Sequence, residues 1–223
     1  MSEDRCPGNA QASAAPPRSV VDFPVPGPWA FSSESTCGSL PAAMSARPTN
    51  IVLIGFMGSG KSSIGRIVAR RMGFQFLDTD ALIVERAGRS IPTIFAEQGE
   101  EKFRDLETGA IESLAQHSRC VIATGGGAVL RERNRALLRE LGLVVLLAAS
   151  EEVLFERVSR NDRRPLLQTE NPRETLGQML AGRREMYEAA AEHVVDTSHF
   201  THRQSADAVI AAARRAFSWK TGP

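Results

Sequence analysis

Eight consecutive residues, Gly55-Phe56-Met57-Gly58-Ser59-Gly60-Lys61-Ser62, match the spacing G-x-x-x-x-G-K-[ST]. Glycines at these positions let the main chain wrap closely around phosphate groups and aim its N–H donors inward, and a helix N-terminus behind them adds a favourable dipole. In such a cradle Gly58, Ser59 and Gly60 line the phosphates and Lys61 neutralises β- and γ-phosphate charge. Ser62 offers a hydroxyl to Mg²⁺, and Ser63 a further hydroxyl near the α-phosphate. The competing reading is a glycine-rich turn with a chance lysine. The cradle alone does not name the phosphate acceptor, because motors, switches and small-molecule kinases share it.

Acceptor chemistry has to come from elsewhere. Asp78-Thr79-Asp80 closes the second apolar run, whereas the third and fourth runs end in Thr124 and Ala148-Ala149. The acid expected near magnesium therefore falls to Asp78, and Asp80, two residues on, is placed to accept a proton from an attacking hydroxyl. Alternatively both carboxylates cap a helix beginning at Ala81. Thr124-Gly125-Gly126-Gly127-Ala128 would let a ligand touch bare backbone, or be a plain turn. Asn161-Asp162-Arg163-Arg164-Pro165-Leu166-Leu167 reads either as a solvated loop or as a lid that brings Arg164 to the transferring phosphate.

These residues need a scaffold that collects them at one edge. Ile51-Val52-Leu53-Ile54 is a short apolar run, as expected for a central strand buried on both faces. Ile64, Ile67, Val68 and Met72 follow at helical spacing, with Gly73 as a stop. Further strands are expected at Phe74 to Leu77, Val121 to Ala123, Leu143 to Leu147 and His193 to Val195. Helical faces fall at Phe103, Leu106, Ala110, Ile111 and Leu114, and at Ala206, Val209, Ile210, Ala213 and Phe217. This alternation predicts a doubly wound α/β domain whose ligands sit at the carboxyl ends of its strands. No apolar run approaches the length of a membrane span, and no internal repeat is apparent.

Composition narrows the classes further. The 223 residues are 42% hydrophobic and 24% charged, enough for one core, and the net charge of +1 supplies no general field for nucleic acid or an anionic membrane. Cys6, Cys37 and Cys120 are an odd number without metal-ligand spacing, which fits a reducing cytoplasm. Residues 1–48 hold eight of the twelve prolines and show neither helical nor alternating period, so they read as a disordered extension. Glu3, Asp4, Asp22 and Glu34 argue against a transit peptide, and Met44 is an alternative start.

With these motifs in order, the chain resembles the shikimate kinases from about Asn50 to Ala213. The likeness rests on the phosphate loop, Phe76-Leu77-Asp78-Thr79-Asp80, Gly88-Arg89-Ser90-Ile91 with Ile94-Phe95, and Gly99-Glu100-Glu101-Lys102-Phe103-Arg104. It continues through Gly125-Gly126-Gly127, Arg164-Pro165-Leu166-Leu167, and Arg183 with Tyr187. The resemblance implies a P-loop, nucleoside-monophosphate-kinase-like three-layer α/β/α fold in residues 49–223. Its features would be a five-stranded parallel sheet, a helical substrate-binding segment at about 78–110 and a lid at about 157–170. The implied reaction is transfer of the ATP γ-phosphoryl group to the 3-hydroxyl of shikimate, with Mg²⁺, by a monomeric cytoplasmic enzyme that uses neither nucleic acid nor membrane.

Residue by residue, the resemblance assigns the substrate carboxylate to Arg104 and Arg183, whose planar guanidinium groups give a bidentate grip. Asp80 would bind the ring hydroxyls and deprotonate the nucleophile, Gly126 would contact a hydroxyl, and Glu107 would orient Arg104. Phe95 and Phe103 would pack against the pocket, with ordinary core packing as the alternative. Arg157 would lie beside adenine, its alternative being a solvated helix charge, and Lys61 and Arg164 would act on the transferring phosphate. Two segments depart from the family pattern. Arg183-Arg184-Glu185-Met186-Tyr187 lacks the usual proline, which leaves a choice between the two arginines that spacing to Tyr187 settles for Arg183. The loop Thr197 to His202 lacks a common proline near His202 and supports no assignment to adenine. A gluconate or nucleoside monophosphate kinase would keep the cradle and lid without needing Asp80, Gly126, Arg104 and Arg183 together. A non-catalytic switch would not need Lys61, Asp80 and Arg164 intact, and a nucleic-acid binder would show a basic stripe.

Overall fold

Four apolar side chains that find no water on either face of their strand determine the centre of this molecule. The computed structural model describes residues 49–159 and 170–217. Strand β1 (Ile51–Ile54) is wholly buried and pairs in parallel with β3 (Cys120–Ala123) on one side and β4 (Leu143–Ala148) on the other. Ile51 lies opposite both Val121 and Leu143. Strand β2 (Gln75–Asp78) adds to β3 and β5 (His193–Asp196) to β4, giving the order β2-β3-β1-β4-β5 with every pair parallel. The sheet thus has the expected number of strands and direction.

Parallel pairing forces each connection to cross over, and each crossover carries a helix. α1 (Lys61–Met72) and α7 (His202–Ala216) cover one face, where Ile64, Val68, Val209 and Ala213 meet Ile51, Leu53, Val121 and Val145. α4 (Glu132–Leu141) and α6 (Pro172–Ala190) pack on β4, with α3 (Ile91–Glu112) against α4 and α5 (Glu151–Ser159) against α6. α2 (Thr79–Ala87) packs on α3. Among the described residues no helix is long and apolar enough to cross a membrane. The 1–48 extension, most of the expected lid and Arg164 lie outside the described residues, and the remaining lid positions 157–159 form the last turn of α5.

Strands β2, β3, β4 and β5 each differ from the sequence reading by one residue at one or both ends. The second strand runs one residue later than expected, to Asp78, and the helix begins at Thr79 rather than Ala81 because Asp78 is both the strand's last residue and the helix N-cap. The helical face expected before β3 falls on the part of α3 that follows Gly99, whose φ of 81° and ψ of 175° no helix can contain. The half that follows Gly99 carries Phe103, Arg104 and Glu107, so its direction is set independently of the half before it.

The opposite, amino-terminal edge of the sheet is pinned by one side chain. The Asn50 amide is fully buried and donates to the carbonyls of His117 at 2.7 Å and Leu141 at 2.9 Å, while its oxygen accepts from the Cys120 N–H at 2.9 Å. Asn50→Ala would strand all three backbone groups. The expected loss is about 3 kcal/mol, read as a fall of roughly 6–12 °C in Tm by calorimetry. The Michaelis constants of the distant active edge should be unchanged.

Candidate active site

The phosphate loop connects β1 to α1, so its position follows from the burial of β1. Gly60 is the N-cap of α1 with a φ of 92°, and no side chain caps the helix there. The first-turn N–H groups are left to an anion. The buried Lys61 ammonium donates to the carbonyls of Gly55 at 2.7 Å and Phe56 at 2.9 Å. Ser62 and Ser63 are exposed on the first turn, beside the opening.

Asp78 uses its two oxygens differently. Oδ1 accepts the Asp80 N–H at 3.1 Å as a helix cap, and Oδ2 accepts the Ser62 hydroxyl at 2.8 Å. A hydroxyl and a carboxylate oxygen at the mouth of a phosphate loop are the hard oxygen donors that Mg²⁺ takes, with phosphate and water completing its shell. Thr79, between the two aspartates, is fully buried, and its hydroxyl accepts the Gly125 N–H at 3.0 Å. The sequence reading missed this residue. Its only signal was a hydroxyl-bearing side chain at a strand end facing a glycine loop.

That hydrogen bond brings the glycine loop onto the acids. A Cβ on Gly125 would stand 2.6 Å from Asp80 Oδ1 and 2.7 Å from Glu107 Oε1, and one on Gly127 would stand 2.2 Å from Arg104 Nη1. Only bare backbone admits all three side chains. Arg104 is 6% exposed; its Nη1 donates to Glu107 Oε2 at 2.9 Å and its Nη2 to Glu100 Oε1 at 2.9 Å. Burial would lower the Arg104 pKa, but the Glu107 and Glu100 carboxylates more than offset it and raise the pKa instead. Burial pushes the Glu107 carboxyl up, against the pull of Arg104, with the Asp80 charge adding to the rise.

The two aromatic residues pack together beside Arg104. Phe103 packs into the core with Ile83, Ile94 and Ala110, and its ring lies 5.2 Å from the Arg104 guanidinium carbon. Phe95 stacks on Phe103 with centroids 4.6 Å apart and reaches the cluster through that ring. From α6, the buried Tyr187 hydroxyl donates to the Gly126 carbonyl, and Arg183 lies over the Phe56 ring at 5.8 Å. Arg184 bonds Glu188 at 2.9 Å along its own helix, whereas Arg183 interacts with Tyr187 and Glu107. Burial raises the Tyr187 pKa, keeping the hydroxyl a donor.

On the remaining side Arg157 is far from a solvated helix charge. It donates to the carbonyls of Gly58 at 3.4 Å and Thr197 at 2.7 Å and to the Thr197 hydroxyl at 3.1 Å, and burial lowers its pKa. It therefore ties the phosphate loop to the segment after β5. There the buried Thr197 hydroxyl donates to Ala148 O at 2.9 Å, and His202 Nε2 lies 3.6 Å from where a Gly60 Cβ would be. Neither residue was singled out from the sequence. Taken together, Lys61, Ser62, Asp78, Asp80, Arg104, Gly126 and Arg183 gather at the carboxyl ends of β1, β2 and β3.

Comparison with known proteins identifies the family. The family model described as shikimate kinase matches residues 57–214. A shikimate kinase of Geobacter sulfurreducens is 54% identical over 149 residues, covering 67% of this chain and 82% of its own. One from Thermodesulfovibrio yellowstonii is 44% identical over 172 residues, covering 77% and 99%. The solved shikimate kinase from Acinetobacter baumannii, in complex with shikimate, is 37% identical with a TM-score of 0.72, over 81% of this chain and 98% of that one.

The contact of Arg104 with bare backbone gives a direct test. Gly127→Ala must displace the guanidinium, and the expected result in steady-state assays is a rise of about tenfold or more in the acceptor's KM, with the KM of the nucleotide held within about twofold.

Proposed function

The chain belongs to the shikimate kinase family, and from that premise we propose how its residues transfer the γ-phosphoryl group of ATP to the 3-hydroxyl of shikimate, a step of aromatic amino-acid biosynthesis. The observation that carries the assignment is the approach of the buried Arg104 and of Asp80 to one glycine loop, with Arg183 over Phe56 of the adjoining Lys61 phosphate loop. It provides a cationic seat and a base within one pocket, next to a second anion site. Shikimate has a carboxylate at one end and three ring hydroxyls at the other, which is the complement of that pattern.

In this reading Arg104 and Arg183 grip the carboxylate, and the Gly126 backbone, its carbonyl already taken by Tyr187, offers its N–H to the acceptor. Asp80 orients the 3-hydroxyl and accepts its proton as the new oxygen–phosphorus bond forms and the bond from the γ-phosphorus to the bridging oxygen breaks, releasing ADP. Lys61 gives up its loop carbonyls for the β- and γ-phosphates, so charge it has stabilised within the loop is turned on the transferring group. The first-turn N–H groups of α1 with Ser59 and Ser63 hold the remaining phosphate oxygens. Arg157 supports the adenine side through Thr197, and Arg164 is assigned to the transferring phosphate from its sequence position alone.

Ser62 and Asp78 would hold Mg²⁺, which would supply positive charge against the phosphates during transfer. The net charge of +1 supplies no general field for nucleic acid or an anionic membrane, and the reading of a monomeric cytoplasmic enzyme with ATP and shikimate as partners follows from the family.

The deciding experiment is coupled ADP release with shikimate, gluconate and nucleoside monophosphates as acceptors, run on the full chain and on a chain starting at Met44. Turnover is expected with shikimate alone and equally in both chains; none with shikimate would overturn the assignment. Asp80→Asn should lower kcat by about 10²–10⁴ with little change in the KM for ATP. Arg104→Ala and Arg164→Ala should divide differently, the first raising the KM for shikimate and the second lowering kcat by roughly 10³ or more.

A further inference from the structure

Behind Arg104, on the side away from the pocket, lies a small polar cluster that the reaction does not use. Thr108 is buried one turn along α3, and its hydroxyl lies 3.0 Å from the Arg104 carbonyl oxygen and 2.8 Å from Oδ1 of Asn134, a fully buried residue of α4. A threonine hydroxyl has one proton and cannot donate to both. The Asn134 Nδ2, meanwhile, is buried with no acceptor among the described residues. Turning the amide end for end resolves both difficulties: Nδ2 donates to Thr108 Oγ1, and Thr108 donates to the Arg104 carbonyl. The result is a directed relay from α4 to the backbone of the residue assigned to the substrate carboxylate.

Both ends of this relay are anchored to parts of the site. Asn134 follows the glycine loop through a short, hydrogen-bonded connection, with Ala128 N–H on Gly125 O at 3.3 Å and Leu130 N–H on Gly127 O at 2.9 Å. Arg135 holds the Val129 carbonyl at 2.7 Å. Arg104 in turn presses its guanidinium on Gly127. The half of α3 that carries it is cut off from the preceding half by the non-helical Gly99, so it needs a register of its own. The half-buried Arg131 also reaches this cluster, its Nη1 donating to Thr108 Oγ1 at 3.5 Å, while its pairs with Glu101 and Asp105 and that of Arg133 with Glu112 involve exposed carboxylates, where such pairs contribute little.

We propose that Thr108 and Asn134 form a positioning pair for acceptor binding, fixing through the Arg104 carbonyl where the Arg104 guanidinium stands against the glycine loop. The inference rests on the assignment of Arg104 to the shikimate carboxylate. The pair touches neither substrate, and its effect belongs to the KM for shikimate.

Steady-state kinetics on Thr108→Val, which removes the hydroxyl and keeps the shape, on Thr108→Ser, which restores it, and on Asn134→Ala provide the test, with Arg104→Lys as the reference. The expected result for Thr108→Val and Asn134→Ala is a shikimate KM raised about five- to tenfold, an ATP KM and kcat within about twofold, and recovery in Thr108→Ser. An unchanged shikimate KM in both variants, or equal rises for ATP and shikimate, would overturn the positioning role while Arg104→Lys still weakens shikimate. An Arg104→Lys variant with unaltered shikimate KM would instead remove the carboxylate assignment on which the inference stands.

Discussion

Keeping a charged guanidinium under the protein surface is the constraint around which this site is organised. Arg104 can be held there only because Glu107 and Glu100 share its charge, the Phe103 ring lies alongside, and Gly127 leaves room where a methyl would collide. Each of those neighbours has its own requirement. Glu107 is itself buried and needs the guanidinium in return, since either charge alone would be expensive to desolvate. The glycine loop stays close because Thr79 takes its Gly125 N–H and Tyr187 its Gly126 carbonyl. Elements far apart in the chain, α2, α3 and α6, are thereby referred to one loop.

The neighbouring anion site is built on the opposite principle. Around the phosphate loop the chain leaves helix N–H groups uncapped and keeps Lys61 on its own loop carbonyls, so the donors exist before the ligand does and need only exchange partners. Catalysis of phosphoryl transfer consists mostly of placing two anions in line and stabilising charge as it moves. A preorganised acceptor seat and a nucleotide cradle with reassignable donors serve those two tasks separately, while Arg157 ties the cradle to the segment after β5.

Much of this was legible in the residues. The buried run of β1 followed by glycines and a lysine determines the centre of the sheet and the phosphate loop, because both features depend on local chemistry. The paired acids and the triple glycine could be located but not explained from sequence, since their meaning lies in contacts between segments distant in the chain. Thr79, Thr197 and Asn50 illustrate the difference: each is an ordinary polar residue whose importance comes from a backbone group that the fold delivers to it. Boundaries were displaced for a related reason. A strand-forming pattern cannot show that its last side chain will cap the next helix.

The direct junction of β2 and α2 has an evolutionary consequence. Asp78 ends the strand and caps the helix, so no spare residue separates the sheet from Asp80. One residue added or lost there would turn every later side chain of α2 by about 100° about the helix axis, carrying the carboxylate away from Gly125. The chain can vary in length at the turn after Ala87, where α2 has finished, but this junction tolerates exchange of residue types only. Drift in length is thus closed off where the strand hands its register straight to Asp80.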